Sequence, residues 1–299
     1  MKRQVHRSGR SSGESSKRIA AGLTIVGPGR VGQAMAKLLA ESGFSIRFVA
    51  ARRPVAARRA VRFIGSGTAV GVHATELTDA GVILLTVSDA ALGLLASDLA
   101  QLRDRWSEKV VLHTSGALPS DVLRPFHRRG ASVGSLHPFQ TVPTATIGLR
   151  NLRGCFWGIE GDRQACAVAT QLARALDGTP FPVRPSWKVL YHAAAVLSCG
   201  AVVALLDQSA RLLRAAGVPA GIVRPMLGRF VGETVGNFVR LGGHQALTGP
   251  AVRRDWRTIA HHLAALRRYM PAVQPVYEEL TRIMARLAGH RLPPRLLTN

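Results

Sequence analysis

The first half of the chain alternates short apolar runs with stretches of helical periodicity. Residues 23–26 form the first apolar run. An amphipathic helix face with spacing i, i+3, i+4, i+7, i+8 follows it, formed by Val31, Ala34, Met35, Leu38 and Leu39. Further apolar runs, separated by helical or turn segments, lie at 45–51, 81–89, 109–117 and 131–139. This alternation of strands and helices predicts an α/β fold with a doubly wound parallel sheet.

The pattern changes in the second half of the chain. After a helix at 163–176 and a short strand near 181–183, only helical periodicity is found. Long apolar-periodic runs lie at 187–216, 219–240, 255–269 and 271–288. Ser186 is placed to cap the first of them. We therefore predict a sheet-containing domain over residues 21–185 and an all-α domain over residues 186–299.

Composition narrows the class of protein. Residues 1–20 are basic and rich in serine and glycine, which predicts a disordered tail and not a secretory signal. The hydrophobic content of 47% supports a packed core. The three cysteines have neither metal-ligand nor disulfide spacing, so we expect no metal site and a reducing, cytoplasmic location.

The formal net charge of +23 indicates anionic ligands. Nucleic-acid-binding proteins are often this basic, but the chain is only 5% aromatic and has no helix–turn–helix or zinc-finger pattern. The apolar stretch at 189–206 is long enough to span a membrane, yet it contains Tyr191, His192 and Ser198 and is followed by Asp207. We expect a buried helix in a helical or dimeric core, with neither a membrane nor a nucleic acid as partner.

The turn after the first strand has the pattern G-x-G-x-x-G, formed by Gly27, Gly29 and Gly32. Between a strand and a helix, this pattern is typical of dinucleotide binding, because it brings a pyrophosphate close to the backbone and the helix N-terminus. We predict that Arg30 and Val31 within the turn, and Val87 and Ser88 near the end of the 81–89 strand, also contact the cofactor.

The end of the second strand bears on the choice of cofactor. NAD-binding proteins usually have Asp or Glu there to hold the ribose 2′-hydroxyl, whereas this chain has Arg52 and Arg53. Guanidinium groups bind phosphate in a bidentate fork, so the two arginines favour NADP(H) with its 2′-phosphate. In the alternative interpretation one of them, Arg53 more than Arg52, is a solvated residue before the next helix.

Polar residues end two later strands. His113, Thr114 and Ser115 come after one apolar run, and His137 lies near the end of the next. Ligands of parallel sheets bind beyond the carboxyl ends of the strands, so these positions predict a site for a second ligand. Alternatively, each residue taken alone is a cap or part of a turn.

Five motifs occur in order along the chain: TIVGPGRVG, HTSGA, SLHPFQT, YHAAAV and LTGPAVRRD. Together they resemble a family of oxidoreductases in which a Rossmann-like domain precedes a DUF2520 domain. That family is similar to the group containing pyrroline-5-carboxylate reductase, ketopantoate reductase and β-hydroxyacid dehydrogenases. The resemblance implies NADP(H), hydride transfer to or from a small carboxylated keto, hydroxy or imino substrate, and a homodimer formed through the helical domain.

The chain departs from the family pattern at two places. The family usually has Ser-Asn where this chain has Ser198 and Cys199, so an expected amide is missing. It usually has Arg-Gly-Asp where this chain has Arg253, Arg254 and Asp255. Both departures bear on the substrate more than on the fold.

Lys188 is the only lysine after residue 109, and the resemblance places it where β-hydroxyacid dehydrogenases have an acid/base lysine. It lies four residues before His192, so both side chains share a helix face. The positive end of the helix dipole and burial would lower the pKa of this lysine, which suits a proton donor near neutral pH. We predict Lys188, His192 and His137 as catalytic candidates. Alternatively, Lys188 reaches solvent and His192 belongs to the core.

The similar Ser-Gly turn of hydroxyacid dehydrogenases implies that Thr114 and Ser115 bind a substrate carboxylate. We add His113, Gln140 and Arg253 to the predicted substrate site. Two other functions stay open at this point. One is a non-catalytic NADP-binding sensor or scaffold, which the missing amide favours, and the other is a basic nucleic-acid-binding protein.

Overall fold

The computed structural model of the protein describes residues 15–293. The chain divides between Cys199 and Gly200 into two compact units. The first contains a β-sheet with flanking helices, and the second is helical. The helix at 188–198 belongs to the first unit, where the side chain of Lys188 is buried and contacts Ser135, and the boundary predicted at residue 185 stays a prediction.

The first unit contains one eight-stranded sheet. Its strands are β1 Leu23–Val26, β2 Ile46–Ala51, β3 Thr68–Gly71, β4 Val82–Leu85, β5 Val110–His113, β6 Ser132–Pro138, β7 Phe156–Gly161 and β8 Thr179–Pro182. The strand order is β3-β2-β1-β4-β5-β6-β7-β8. Neighbouring strands are parallel except β6 and β7, which are antiparallel. The predicted doubly wound α/β fold is confirmed, although the sheet is mostly and not wholly parallel.

Both faces of the sheet are buried. Within β4, Val82 and Leu84 belong to one hydrophobic cluster, whereas Ile83 and Leu85 belong to the other. Successive side chains of a strand point to opposite faces, so a strand covered on both faces is apolar at every position. This is why the inner strands were visible in the sequence as continuous apolar runs.

Helices cover both faces of the sheet. They are α1 at 15–20, α2 Arg30–Glu41, α3 Pro54–Ile64, α4 Asp89–Ala100, α5 Arg124–His127, α6 Ala145–Leu152, α7 Arg163–Ala175 and α8 Lys188–Ser198. Helix α1 corrects the disordered tail predicted over 1–20, since Ser15 is buried and the Arg18 guanidinium donates to Gln164. The rest of that predicted tail, residues 1–14, lies outside the described residues.

Two further differences concern the entry to α8 and its end. Ser186 does not cap this helix; it lies in the 3₁₀ turn Pro185–Trp187, and Trp187 precedes the helix without a side-chain cap. The single helix predicted over 187–216 is interrupted at Cys199, whose φ and ψ of −125° and −81° are not helical.

The second unit consists of long helices: α9 Gly200–Ala215, α10 Ala220–Ala246, α11 Trp256–Tyr269 and α12 Gln274–Leu287. Gly242, with φ 74° and ψ 171°, breaks the regular geometry near the end of α10. A small core formed by Ala251, Ile259 and Leu263 lies within this unit. The predicted all-α region is confirmed.

By length and composition, one helical stretch of the described chain, Pro185–Ala215, could cross a membrane. The most apolar part of this stretch is not buried within the chain. The expectation that this stretch is buried in the helical core of the chain itself is therefore wrong. Burial in a dimeric core stays a prediction.

Arg254, one of the two departures from the family pattern, lies in a strained turn. Its φ of 58° lies in the left-handed region, which glycine adopts freely but which costs other residues about 1–2 kcal/mol. The next residue, Asp255, caps α11 by accepting hydrogen bonds from the Thr258 backbone N–H at 3.1 Å and its hydroxyl at 2.7 Å. A glycine at position 254 would adopt this turn without strain, and Asp255 supplies the cap.

We expect Arg254→Gly to raise the free energy of unfolding by up to about 1 kcal/mol, because it removes the left-handed strain. Thermal or urea unfolding would measure the gain. Arg253→Gly is the matched control, since Arg253 has no positive φ in the structure and should gain nothing. Equal effects of the two substitutions would contradict the strain at residue 254.

Candidate functional site

The glycine turn between β1 and α2 is shaped by close packing. Gly27 has φ 79°, and a side chain there would meet the Cγ1 atom of Val87. A Cβ at Gly32 would meet the hydroxyl of Thr86, which donates to the Gly27 carbonyl at 2.6 Å. Gly29 precedes α2 without a side-chain cap, so the first N–H groups of the helix stay available to a ligand.

The turn opens on a cleft of about 900 Å³ at the carboxyl edge of the sheet. This cofactor cleft is lined by Val26, Gly27, Pro28, Gly29, Ala51, Arg52, Arg53, Ala56, Val72, His73, Thr86, Val87, Ser88, Ala91, Leu94, Leu95 and Asp98. It therefore brings together six of the predicted cofactor residues, two from each of three loops. His73 after β3, and Leu94, Leu95 and Asp98 of α4, were not predicted from the sequence.

Three predicted cofactor residues do not line the cleft. The Arg30 guanidinium donates to the Pro143 carbonyl at 3.2 Å. Val31 packs against the hydrophobic core, and Gly32 lies behind the turn against Thr86. Gly32 therefore supports the turn by its small size, whereas cofactor contacts of Arg30 and Val31 stay a prediction.

A second cluster, here called the histidine site, consists of Gly116, His137, Tyr191 and His192. The Nδ1 atom of His137 lies 2.7 Å from the Tyr191 hydroxyl, and the His137 and His192 ring centroids are 6.1 Å apart. A Cβ at Gly116 would lie 2.7 Å from His137 Nε2 and 2.7 Å from His192 Cδ2. The site is thus built by the turn after β5, the end of β6 and one face of α8.

Lys188 lies beside this cluster but does not face it. Lys188 is only 1% exposed. Its Nζ atom donates to the Ser115 carbonyl at 3.0 Å, the Ser135 hydroxyl at 2.7 Å and Glu160 Oε1 at 3.1 Å. Three acceptors occupy the three protons of the ammonium group. The structure thus directs the ammonium group of Lys188 at these three acceptors, and the proton-donor role predicted for Lys188 stays a prediction.

Glu160 completes this buried lysine network, which we define as Ser115, Ser120, Ser135, Glu160 and Lys188. The carboxylate of Glu160 also accepts from the Ser120 backbone N–H at 2.9 Å and the Ser120 hydroxyl at 2.7 Å. Sequence reasoning missed Glu160, although a lone acidic residue inside an apolar strand was a usable signal. It also missed Tyr191, which stands next to His192 in the YHAAAV motif.

Burial and nearby positive charge keep His137 and His113 neutral. Burial, with a smaller effect of the Lys188 ammonium and then of His192, lowers the pKa of His137 from 6.5 to about 4. Burial and then Lys188 lower the pKa of His113 from 6.5 to about 3. Burial also lowers the pKa of Lys188, against the opposing effect of Glu160, and raises the pKa of Tyr191. At neutral pH both histidines are therefore uncharged and the tyrosine is protonated.

The predicted substrate residues differ in burial and in their hydrogen bonds. His113 is fully buried, and its Nδ1 accepts from the Ser115 N–H at 3.1 Å, so its contact with substrate stays a prediction. The Ser115 hydroxyl accepts from the N–H groups of Ala117 and Leu118, so it stabilises the turn. Half-buried Thr114 lies at the edge of the site.

The two other predicted substrate residues lie outside the elements that build the histidine site. Gln140 is exposed beyond β6, and its side-chain oxygen accepts from the Thr141 N–H at 2.8 Å. Arg253 belongs to the second compact unit and is exposed there. Among residues 15–293, no group of three or more His, Cys, Asp or Glu side chains is arranged to hold a metal ion.

Comparison with known proteins agrees with this architecture. A Rossmann-like domain matches residues 6–138, and a domain of unknown function, DUF2520, matches residues 155–284. A search of curated protein sequences gives no match.

Several solved structures share the fold. A protein of Bacteroides fragilis, proposed to be an NADP oxidoreductase, is 24% identical, with a TM-score of 0.72 over 90% of this chain and 99% of its own. The reductive aminase of Aspergillus terreus, in complex with NADPH and ethyl-5-oxohexanoate, is 17% identical, with a TM-score of 0.63 over 92% and 98%. Plasmodium falciparum pyrroline carboxylate reductase with NADP bound is 12% identical, with a TM-score of 0.57 over 89% and 98%.

Proposed function

This chain joins a Rossmann-like domain to a DUF2520 domain, and from that premise we propose that it is an NADP(H)-dependent oxidoreductase. Its substrate in this proposal is a small carboxylated molecule that carries a keto, hydroxy or imino group, as in ketopantoate reductase. The observation that carries the proposal is the cofactor cleft, where the glycine turn and the pair Arg52 and Arg53 line one cavity.

The residues of the cleft fit a phosphorylated dinucleotide. Gly29 leaves the backbone open to a pyrophosphate at the start of α2. Arg52 and Arg53 are exposed at the end of β2, within reach of a 2′-phosphate on the adenosine ribose. Two neighbours in fold are solved with NADPH or NADP. When bound, NADPH supplies the hydride that reduces a carbonyl or imine carbon.

The histidine site supplies the groups that handle the developing charge. We assign the protonated Tyr191 hydroxyl as the donor to His137 Nδ1. A neutral imidazole then carries its hydrogen on Nε2, which lies close against Gly116 at the end of the turn after β5. The Nε2–H group donates a hydrogen bond to the substrate oxygen or nitrogen, which gains electron density as the carbon is reduced. The Cδ2 atom of His192 lies equally close to Gly116, and we propose His192 in place of Lys188 as the second candidate.

The carboxylated substrate class is proposed from charge and resemblance. The chain carries a formal net charge of +23, which favours the approach of small anions. The half-buried Thr114 and the backbone of the turn through Gly116 lie where a substrate carboxylate would be held in the similar hydroxyacid dehydrogenases.

We expect Arg52→Ala to weaken NADPH binding by about 10- to 100-fold, since a hydrogen-bonded charge pair contributes about 1.5–3 kcal/mol. NADH binding should change little, because NADH has no 2′-phosphate. Calorimetry with both cofactors measures the difference.

The control for the cofactor experiment is Arg59→Ala, an exposed arginine of α3 outside the cleft. Arg53→Ala tests whether the second arginine shares the phosphate. Equal losses for NADPH and NADH in the Arg52 variant, or no binding of either cofactor to the parent, would contradict the proposal.

We expect NADPH oxidation with at least one member of a panel of 2-keto acids and cyclic imines, followed by absorbance. His137→Gln should lower kcat by about 100-fold or more, because it removes the proposed donor while NADPH binding is retained. His127→Gln is the control, an exposed histidine on α5. NADPH binding without turnover of any compound would favour the sensor or scaffold instead.

We also propose a homodimer formed through apolar helix faces. In α10, Phe230, Phe238 and Val239 are 71%, 61% and 76% exposed. In α8, Val189 and Leu197 are 70% and 68% exposed. Exposed apolar helix faces of this kind mark interaction sites, and a second copy of the chain satisfies them without a further partner.

We expect light scattering with size-exclusion chromatography to give a dimer mass for the parent. The double variant Phe230→Asp with Phe238→Asp should give a monomer mass, because charges are not tolerated in a buried apolar interface. Val55→Asp on α3, also an exposed apolar residue, is the control. A parent protein that is monomeric, or that needs detergent to stay dispersed, would contradict the dimer.

A further inference from the structure

The buried lysine network joins four parts of the first unit. Lys188 is the first residue of α8, Glu160 lies in β7, Ser135 lies in β6, and Ser115 and Ser120 belong to the segment after β5. Both charged side chains are 2% exposed. A buried charge is tolerated only when its partners are in place, so these four parts are held together as one arrangement.

Three of these parts, the segment after β5, strand β6 and helix α8, also build the histidine site. In each part, the residue of the histidine site lies one to four residues beyond the residue of the network. Gly116 follows Ser115 directly. His137 is two residues beyond Ser135, on the same face of β6. Tyr191 and His192 are three and four residues beyond Lys188, on the same side of α8. The network and the histidine site are therefore formed by neighbouring residues of the same elements.

We propose that Lys188 is a positioning residue, which through its ion pair with Glu160 fixes the turn at Gly116, the end of β6 and helix α8 in the spacing that the histidine site needs. This role replaces direct proton transfer by the lysine. Nothing in it requires Lys188 to touch substrate or cofactor. The inference rests on the proposed function only for its kinetic readout.

The network also sets the charge around His137. The ionisable groups that surround it are His113 on β5 and Lys188, Tyr191 and His192 on α8, while Glu160 on β7 and Asp89 at the start of α4 act on Lys188. Of these, Lys188 contributes the largest charge effect on His137 and opposes its protonation. Loss of the ammonium should therefore make His137 easier to protonate.

The test removes both buried charges together, in the double variant Lys188→Met with Glu160→Gln. Removing one alone would leave an unpaired buried charge and unfold the protein for a trivial reason. We expect the double variant to bind NADPH as the parent does, because the cofactor cleft lies on other strands. The imidazole NMR titration of His137 should move up from its pKa of about 4, because the opposing charge of Lys188 is gone while the burial remains.

The kinetic readout should change in kcat and not in KM. A displaced hydrogen-bond donor is expected to lower kcat by about 100-fold, and the acidic limb of the pH profile should move up with the His137 titration. A parent that shows no turnover would count against the proposed function alone, because the NMR titration needs neither substrate nor cofactor.

The milder variant Ser135→Ala keeps both charges and removes one acceptor of the ammonium group. It should leave the His137 titration midpoint unchanged but alter the His137 and Tyr191 chemical shifts. A double variant with the parental titration and kcat would overturn the proposal. If the double variant does not fold, unchanged shifts and unchanged kcat in Ser135→Ala would overturn it equally.

Discussion

The first unit depends on an ion pair that is buried at the carboxyl edge of its sheet. Each ion loses several kcal/mol of hydration when it enters the protein, and attraction between the two offsets this loss only if the other hydrogen bonds are also made. Here Lys188 has three acceptors, and Glu160 accepts from Lys188 and twice from Ser120. A network of this kind is satisfied in one arrangement of strands, turn and helix, and it is costly in every other.

The order of the strands explains why two sites share this edge. The loop after β4, Thr86 to Ser88, lines the cofactor cleft, and the loop after the neighbouring strand β5 leads to the histidine site. The Thr114 N–H donates to the Leu85 carbonyl at 3.2 Å, so the two loops begin from a shared hydrogen bond. The sheet topology thereby places the cofactor cleft and the histidine site on neighbouring loops.

The sequence allowed prediction of those features that depend on a local pattern of residues. Continuous apolar runs revealed the inner strands, and the glycine turn and arginine pair revealed the cleft. Strand β3 was missed because its half-exposed residues form no apolar run, and the antiparallel direction of β7 was missed because periodicity carries no direction. The burial of His113 and the orientation of Lys188 depend on partners far along the chain, such as Glu160, which spacing alone does not identify.

The choice of lysine at position 188, in a chain whose other positive charges are almost all arginine, follows from the same geometry. An ammonium has three protons that rotate to meet a carbonyl, a hydroxyl and a carboxylate in different directions. A guanidinium has five N–H donors in a rigid plane, so the three acceptors here would leave buried donors unpaired, at a cost of about 1–3 kcal/mol each. A lysine at this point is therefore explained by the shape of the buried site, without a need for it to release its proton.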